Sequence, residues 1–124
     1  MFLYAALGGA IGAAARYGVN ITTPKLIGHG FPWSTMIVNV TGSFIMGLLI
    51  AVMALAWSTS QEMRVFLITG ILGGFTTFSA FSLDFATLYE RKEYGLAVAY
   101  AGGSVVLSVL AVFAGLYVVR TVLQ

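Results

Sequence analysis

The most unusual stretch of the sequence is Gly73-Gly74-Phe75-Thr76-Thr77-Phe78-Ser79-Ala80-Phe81-Ser82. It lies inside a long apolar run, 63–89, whose first part, 65–72, is mostly aliphatic. Paired glycines and clustered Thr and Ser residues are unfavourable in the interior of a helix. In lipid, a broken helix is tolerated only where the freed backbone is buried in protein or lines a cavity, and such breaks recur at the ion sites of transporters. The stretch therefore predicts a discontinuous third helix.

The composition places this stretch in a membrane. Of the 124 residues, 60% are hydrophobic and 8% are charged, whereas soluble domains are about 45–50% apolar and about 25% charged. The mean hydropathy is +0.98, and a soluble fold of this size leaves too much of its chain at the surface to bury so many apolar side chains. Together with a net charge of only +2, these values exclude a soluble enzyme domain, a disordered tail and a nucleic-acid-binding protein.

The length limits the architecture to one domain of four spans. A membrane-spanning helix needs about 20 residues, so 124 residues accommodate four helices joined by short turns, with no room for an extramembrane catalytic domain. The apolar runs place the spans at about 2–22, 33–57, 62–89 and 95–120 within a single domain, 1–124. The sequence therefore predicts an all-α, multi-pass membrane protein with four transmembrane helices that is not an enzyme, and any transport path requires a second subunit.

Local signals indicate where the helices end and where they touch. Pro24 predicts a stop for the first helix, because the residue before a proline is pushed out of the helical region. Ser60 is a candidate cap for the third helix. Gly8 and Gly12 form a GxxxG pattern, which lets two helix backbones approach closely in lipid.

The distribution of basic residues leaves the orientation of the chain in the membrane open. With an even number of spans, Arg64 and Arg120 lie on one side, and Lys25, Arg91 and Lys92 lie on the other. The positive-inside rule needs a clear excess of Lys and Arg on one side, and these counts are nearly balanced. The chain therefore fits insertion in both orientations, and hence an antiparallel homodimer, as well as insertion in a single orientation.

Polar and aromatic side chains recur on common faces of three predicted helices. The sets that share a face are Asn39, Ser43 and Gly47; Phe78 and Phe81; Ser79 and Ser82; and Tyr100, Ser104 and Ser108. One interpretation is a narrow anion path lined by hydroxyls, an amide and phenylalanine edges, since the edge of an aromatic ring is positive. The other is ordinary packing between membrane helices, where small and polar residues are common. The predicted break favours the path, because packing does not require it.

Few ionisable groups lie in the spans. Arg16, near the end of the first span, either anchors that helix by snorkelling to the interface or gives a vestibule the positive potential that attracts anions. Asp84 is predicted to lie near an interface, with a proton carrier in mid-membrane as the alternative. His29 lies in a glycine-flanked loop and is predicted to be solvated. There is no cysteine and no cluster of His, Asp or Glu, so metal catalysis and proton-coupled exchange lack their usual groups.

Three motifs together resemble the Fluc/CrcB family of fluoride channels. The first is Gly8-Gly9-Ala10-Ile11-Gly12-Ala13-Ala14-Ala15-Arg16-Tyr17, the second is Asn39-Val40-Thr41-Gly42-Ser43-Phe44, and the third, the most specific, is the stretch 73–82. The resemblance extends over all four apolar runs. It implies a passive fluoride channel in the cell inner (plasma) membrane, formed by an antiparallel dual-topology homodimer with two pores. The partners it implies are a second copy of the chain, fluoride and the lipid bilayer, with no nucleic acid.

The resemblance also implies roles for individual residues. It implies a structural Na⁺ at the dimer centre, bound by the backbone carbonyls of Gly73 and Thr76 from each subunit. Arg16 resembles the family's first-helix arginine, in or near the vestibule. The residues that the resemblance assigns to the fluoride pore are Phe78, Phe81, Asn39, Ser79, Tyr100, Ser104 and Ser108.

Two other functions are considered for a small membrane chain of this kind. Small multidrug-type exchangers, which couple proton and cation movement, are also four-helix dual-topology dimers, but they have a carboxylate in the middle of the first helix. The first span here contains Arg16 and no acidic residue, which argues against an exchanger. The second alternative is a structural or assembly protein without transport, and the broken third helix argues against it.

Overall fold

The computed structural model describes residues Met1–Gln124, and the chain is helical throughout, without strands. The regular elements, in chain order, are α1 (Phe2–Ile27), α2 (Trp33–Leu55), α3 (Gln61–Arg64), a π-helix (Val65–Leu72), α4 (Gly73–Phe75), α5 (Ser79–Glu90) and α6 (Tyr94–Leu123). The elements from α3 to α5 form one interrupted helical segment. Its start is capped as predicted, because the Met63 N–H donates to the Ser60 hydroxyl over 3.1 Å.

Three segments are long and apolar enough to cross a membrane: Trp33–Leu55, Gln61–Glu90 and Tyr94–Leu123. The chain is therefore a multi-pass membrane protein, as its composition predicts. Helix α1 has the length of a span, with 26 residues, but it is not one of the three, because its glycines, tyrosines and Arg16 lower its hydropathy. The four-span count and the span bounds stay predictions that depend on α1.

The predicted break is present in the third segment. Thr76 has an extended backbone, with φ −85° and ψ 159°, and the helix resumes at Ser79. The Thr77 hydroxyl starts the new helix, because it accepts a hydrogen bond of 3.1 Å from the Ala80 N–H, the contact made by a residue that caps a helix. The break is thus a defined turn with its own cap.

Before the break the chain forms an eight-residue π-helix, which the sequence analysis did not predict. Backbone atoms of Phe66, Gly70, Ile71 and Phe75 lie against α1. These positions recur every four to five residues, which matches the wider i→i+5 turn of a π-helix. The π-helix therefore coincides with packing against α1. Because this packing joins segments far apart in sequence, no local sequence pattern predicts the π-helix.

The GxxxG pattern of α1 makes the close approach that it predicts. A Cβ atom at Gly8 would overlap the Phe66 carbonyl oxygen, and one at Gly12 would overlap the Ile71 carbonyl oxygen. The partner in the structure is the π-helix of the same chain. A second backbone contact joins α2 to α6, where Gly47 lies against Val112. Near the break, α1 contacts Gly74 through Gly9, and α2 contacts Thr76 through Gly42.

The predicted helix stop at Pro24 is wrong. Helix α1 contains Pro24 and continues to Ile27, and the Gly28 N–H bonds to the Pro24 carbonyl over 3.0 Å. A proline removes a single backbone donor and can bend a helix without ending it, and α1 continues through Pro24 for three more residues. The helix ends instead at Gly28, whose φ of 106° is accessible to glycine at little cost.

Replacing Gly12 by Ala should lower the free energy of unfolding by about 1–3 kcal/mol, the usual cost of overpacking. The added methyl group would meet backbone atoms of Ile71 and Phe75, which cannot rotate aside. Gly18→Ala is the matched control, because no atom of another residue lies within contact distance of its Cβ position. Denaturation of both variants in detergent measures the difference. Equal stabilities would contradict the backbone contact.

Candidate ion-conduction site

A cavity of about 550 Å³ lies between α2, the break and α6. Its polar wall consists of Asn39, Ser43, Thr76, Thr77, Ser104 and Ser108, and its apolar wall includes Phe78, Phe81 and Met46. The backbone contacts of α2 with α6 bring the polar faces of these two helices together. The break lies opposite them, so side chains from three separate parts of the chain converge on one space.

Seven of the residues to which the resemblance assigns a pore or cation role line this cavity: Asn39, Gly73, Thr76, Phe78, Phe81, Ser104 and Ser108. Ser79 and Tyr100 do not. The Ser79 hydroxyl is exposed and lies 3.3 Å from the Thr77 hydroxyl. Tyr100 is fully buried behind Phe81. The structure therefore groups the predicted residues of the break, of α2 and of the middle of α6.

Ser104 differs from the other polar residues of the cavity. Its side chain is 5% exposed, and its hydroxyl oxygen has no hydrogen-bond partner within the chain. A buried polar group without a partner costs about 1–3 kcal/mol, so such groups are rare in proteins unless they serve a purpose. Ser104 lines the cavity, and its buried hydroxyl is a donor without a partner within the chain.

Asn39 joins α2 to the break through two hydrogen bonds. Its Nδ2 atom donates to the Thr77 carbonyl over 3.0 Å, and its Oδ1 atom accepts from the Thr77 N–H over 2.8 Å. Both bonds join residues that are 38 positions apart in the sequence, so the sequence motifs alone do not reveal them. One of the two Nδ2 hydrogens is used in this pair, which leaves the other free at the cavity wall.

Arg16 joins α1 to the helical turn directly before the break. Its Nε atom donates to the Gly74 carbonyl over 3.0 Å, and the side chain is partly buried. The sequence is compatible with an interfacial anchor or a vestibule charge for this residue. The structure adds a direct bond to the backbone of the break.

The carbonyl groups of the break differ in what they bind. The Leu72 carbonyl accepts from the Thr76 N–H and hydroxyl, over 3.0 and 2.8 Å, and the Gly74 and Thr77 carbonyls accept the bonds described above. No turn or side-chain hydrogen bond ends on the carbonyl of Gly73 or Thr76. Backbone carbonyls are suitable ligands for hard cations. The two carbonyls that the resemblance assigns to Na⁺ therefore fit that role.

Aromatic rings lead from the cavity toward the loop between α1 and α2. The ring centroids of Phe78 and Phe81 are 5.5 Å apart, those of Phe81 and Tyr100 are 5.1 Å apart, and Tyr100 meets Phe31 edge-on at 5.5 Å. Phe78, at the cavity end, is 76% exposed. The Phe78 ring therefore lies at the open side of the cavity.

Asp84 is the acidic group nearest this aromatic series. Its carboxylate accepts a hydrogen bond of 3.0 Å from the Tyr100 hydroxyl, and it lines a second cavity of about 220 Å³ beside the α1–α2 loop. Asp84 and Tyr100 are equally distant in sequence from Lys92 in the turn between α5 and α6. Because antiparallel helices joined by a tight turn face each other at such positions, this pair was detectable from the sequence, although the sequence analysis missed it.

The amino-acid sequence matches known proteins along almost its whole length. The model of the family described as "CrcB-like protein, Camphor Resistance (CrcB)" matches residues 3–116. A Nitrobacter hamburgensis protein named "Fluoride-specific ion channel FluC 2" is 51% identical over 119 residues, which cover 96% of each chain. A Paracoccus denitrificans protein named "Fluoride-specific ion channel FluC" is 57% identical over 119 residues, covering 96% of this chain and 94% of that protein. Because the family model and these relatives match almost the whole chain, the chain belongs to the CrcB-like family.

Proposed function

We propose that the chain is a passive fluoride channel that exports cytoplasmic fluoride across the inner (plasma) membrane. The named relatives are fluoride-specific ion channels rather than enzymes, and the polar cavity beside the break supplies a place for an anion. The observation that supports the function best is the buried Ser104 hydroxyl, which has no partner within the chain. An anion in the cavity would accept its hydrogen bond.

The lining suits the chemistry of a small anion. Fluoride gives up a tightly held hydration shell when it enters a pore, so the wall must replace water with other donors. The hydroxyls of Ser104 and Ser108 and the free Nδ2 hydrogen of Asn39 are such donors. The ring edges of Phe78 and Phe81 carry partial positive charge. No fixed charge lines the cavity, so the anion is held weakly enough to leave.

A second copy of the chain would complete the path. The cavity of about 550 Å³ is far larger than a single fluoride ion, and one chain alone cannot select by width. Phe78 is 76% exposed, and Gly73 is exposed beside it. An antiparallel homodimer would cover this face and narrow the cavity, giving two pores. The nearly balanced basic residues fit such a dual-topology arrangement.

The same face carries the proposed cation site. The Gly73 and Thr76 carbonyls of both chains would hold a structural Na⁺ at the dimer centre, where a hard cation tethers the two breaks. Support comes from the absence of turn or side-chain hydrogen bonds to these two carbonyls. Helix α1 would supply the fourth span.

Replacing Ser104 by Ala should separate function from stability. The variant removes an unpaired buried hydroxyl, so the free energy of unfolding should stay the same or rise, because replacing such a group by an apolar one is nearly neutral or stabilising. Fluoride efflux from proteoliposomes should fall by about tenfold, since a hydrogen bond to a charged group is worth about 1.5–3 kcal/mol.

Ser82→Ala is the matched control, because Ser82 lies on α5 outside the cavity lining. Its efflux should equal that of the wild type. Unchanged efflux in Ser104→Ala would show that this hydroxyl does not bind the anion.

No observation favours a proton-coupled cation exchanger. Helix α1 contains no acidic residue, and the carboxylate of Asp84 is bonded to Tyr100 outside the main cavity. Proton-driven uptake of a quaternary ammonium dye would be needed to support that alternative.

A further inference from the structure

Arg16 makes a hydrogen bond to the backbone beside the break that its positive charge alone does not explain. Its Nε atom donates to the Gly74 carbonyl over 3.0 Å. An arginine that only attracts anions needs no fixed partner, and a partly buried guanidinium bonded to backbone loses conformational freedom. The bond therefore points to a role in holding Gly74.

The packing of α1 brings Arg16 to this position. A Cβ atom at Gly74 would overlap the Gly9 carbonyl oxygen, and one at Gly12 would overlap backbone atoms at both Ile71 and Phe75. Arg16 lies four residues after Gly12, on the same face of α1. The glycine contact between the two backbones thus continues directly into the Arg16 side chain.

The turn of helix directly before the break, Gly73–Phe75, needs such a restraint because of its composition. Gly73 and Gly74 are adjacent, and glycine has access to far more backbone conformations than other residues. Each peptide unit is planar and rigid, so fixing the Gly74 carbonyl also limits the rotation of the units on either side of it. The Gly73 carbonyl belongs to the peptide unit directly before that of Gly74, and no turn or side-chain bond is made to it.

We infer that Arg16 is a positioning residue for the cation site. By holding the Gly74 carbonyl against α1, it keeps the adjacent Gly73 carbonyl in place, while the Thr76 carbonyl belongs to the peptide unit whose N–H, at Thr77, is bonded to Asn39. This inference rests on the proposed Na⁺ site, and it assigns to Arg16 a role through its Nε–H rather than through its charge.

Two substitutions distinguish the donor from the charge. In Arg16→Gln, the amide nitrogen occupies the same covalent distance from the backbone as Nε, so an N–H donor is kept and the charge is lost. In Arg16→Lys, the charge is kept and the donor moves one atom farther out. Arg16→Met removes both, and Arg120→Gln, at an exposed position in the last turn of α6, controls for loss of one positive charge.

The first measurement is the Na⁺ concentration that gives half of the Na⁺-dependent rise in the thermal unfolding midpoint of the protein in detergent. Arg16→Gln and Arg120→Gln should match the wild type. Arg16→Lys and Arg16→Met should need about tenfold more Na⁺, the effect of losing one hydrogen bond to a charged group. If Arg16→Met does not fold, the Na⁺ concentrations needed by Arg16→Gln and Arg16→Lys still distinguish the donor from the charge.

The second measurement is the hydrogen-exchange rate of the backbone amides at 74–78 with choline in place of Na⁺. Exchange should be faster in Arg16→Lys and Arg16→Met, by about tenfold, and unchanged in Arg16→Gln. A Lys variant that behaves as wild type while the Gln variant fails would overturn the inference in favour of charge, and so would unchanged exchange in every variant. A wild-type midpoint that does not respond to Na⁺ would instead overturn the proposed Na⁺ site, whereas the exchange rates would still show whether Arg16 holds the break.

Discussion

Replacing Phe81 by Ile slows fluoride efflux from proteoliposomes by about tenfold or more while leaving the protein folded. Isoleucine is apolar and fills most of the same space, but it lacks the positive ring edge that faces an anion. A loss of about 1.4 kcal/mol at the barrier is enough for a tenfold change in rate. Phe78→Ile should act in the same direction, because its ring lies 5.5 Å from that of Phe81 at the open side of the cavity.

The control for these two variants is Phe113→Ile. Phe113 is 62% exposed on α6 and lies outside the cavity lining, so its efflux should equal that of the wild type. Size-exclusion chromatography and thermal unfolding establish that each variant keeps its assembly. Wild-type efflux in both Phe78→Ile and Phe81→Ile would remove the ring edges from the mechanism.

Replacing Asn39 by Asp should abolish most of the fluoride efflux, by about a hundredfold or more. The change keeps the acceptor for the Thr77 N–H but removes the donor to the Thr77 carbonyl, so two oxygens face each other. Losing a buried bond of this kind costs about 1–3 kcal/mol of stability, and the added negative charge opposes an anion in the cavity. Efflux and the free energy of unfolding measured on the same preparation test both effects.

Asn20→Asp is the matched control, because it makes the same chemical change in α1, away from the cavity. It should leave fluoride efflux near the wild-type rate. An Asn39→Asp channel with wild-type efflux would show that neither the bond to Thr77 nor the amide donor takes part in conduction.

The break was predictable because its signals are local. The glycines and the following Thr and Ser residues are unfavourable in a helix interior, although Gly73–Phe75 stays helical and the helix opens only at Thr76. The resemblance to a known family then assigned residues to the cavity by position. Most of the assigned pore residues, Phe78 and Ser104 among them, line the cavity in the structure. Tyr100 instead lies behind it, with its hydroxyl bonded to Asp84.

The contacts that hold the break were not predictable in the same way. The bonds of Arg16 to Gly74 and of Asn39 to Thr77 join residues far apart in sequence, and they depend on how α1 and α2 pack. The π-helix likewise accompanies packing against α1. The wrong stop at Pro24 has the opposite cause, since a local rule was applied to a proline that α1 contains with the loss of one backbone donor.

Fluoride efflux from proteoliposomes that contain the wild-type protein, with chloride as the comparison anion, tests the proposed function most directly. The liposomes hold either potassium fluoride or potassium chloride, and valinomycin balances the charge that leaves with the anion. A passive fluoride channel releases fluoride along its gradient, without a proton gradient, and retains chloride. Equal release of both anions, a requirement for a proton gradient, or no release of fluoride would contradict the proposal.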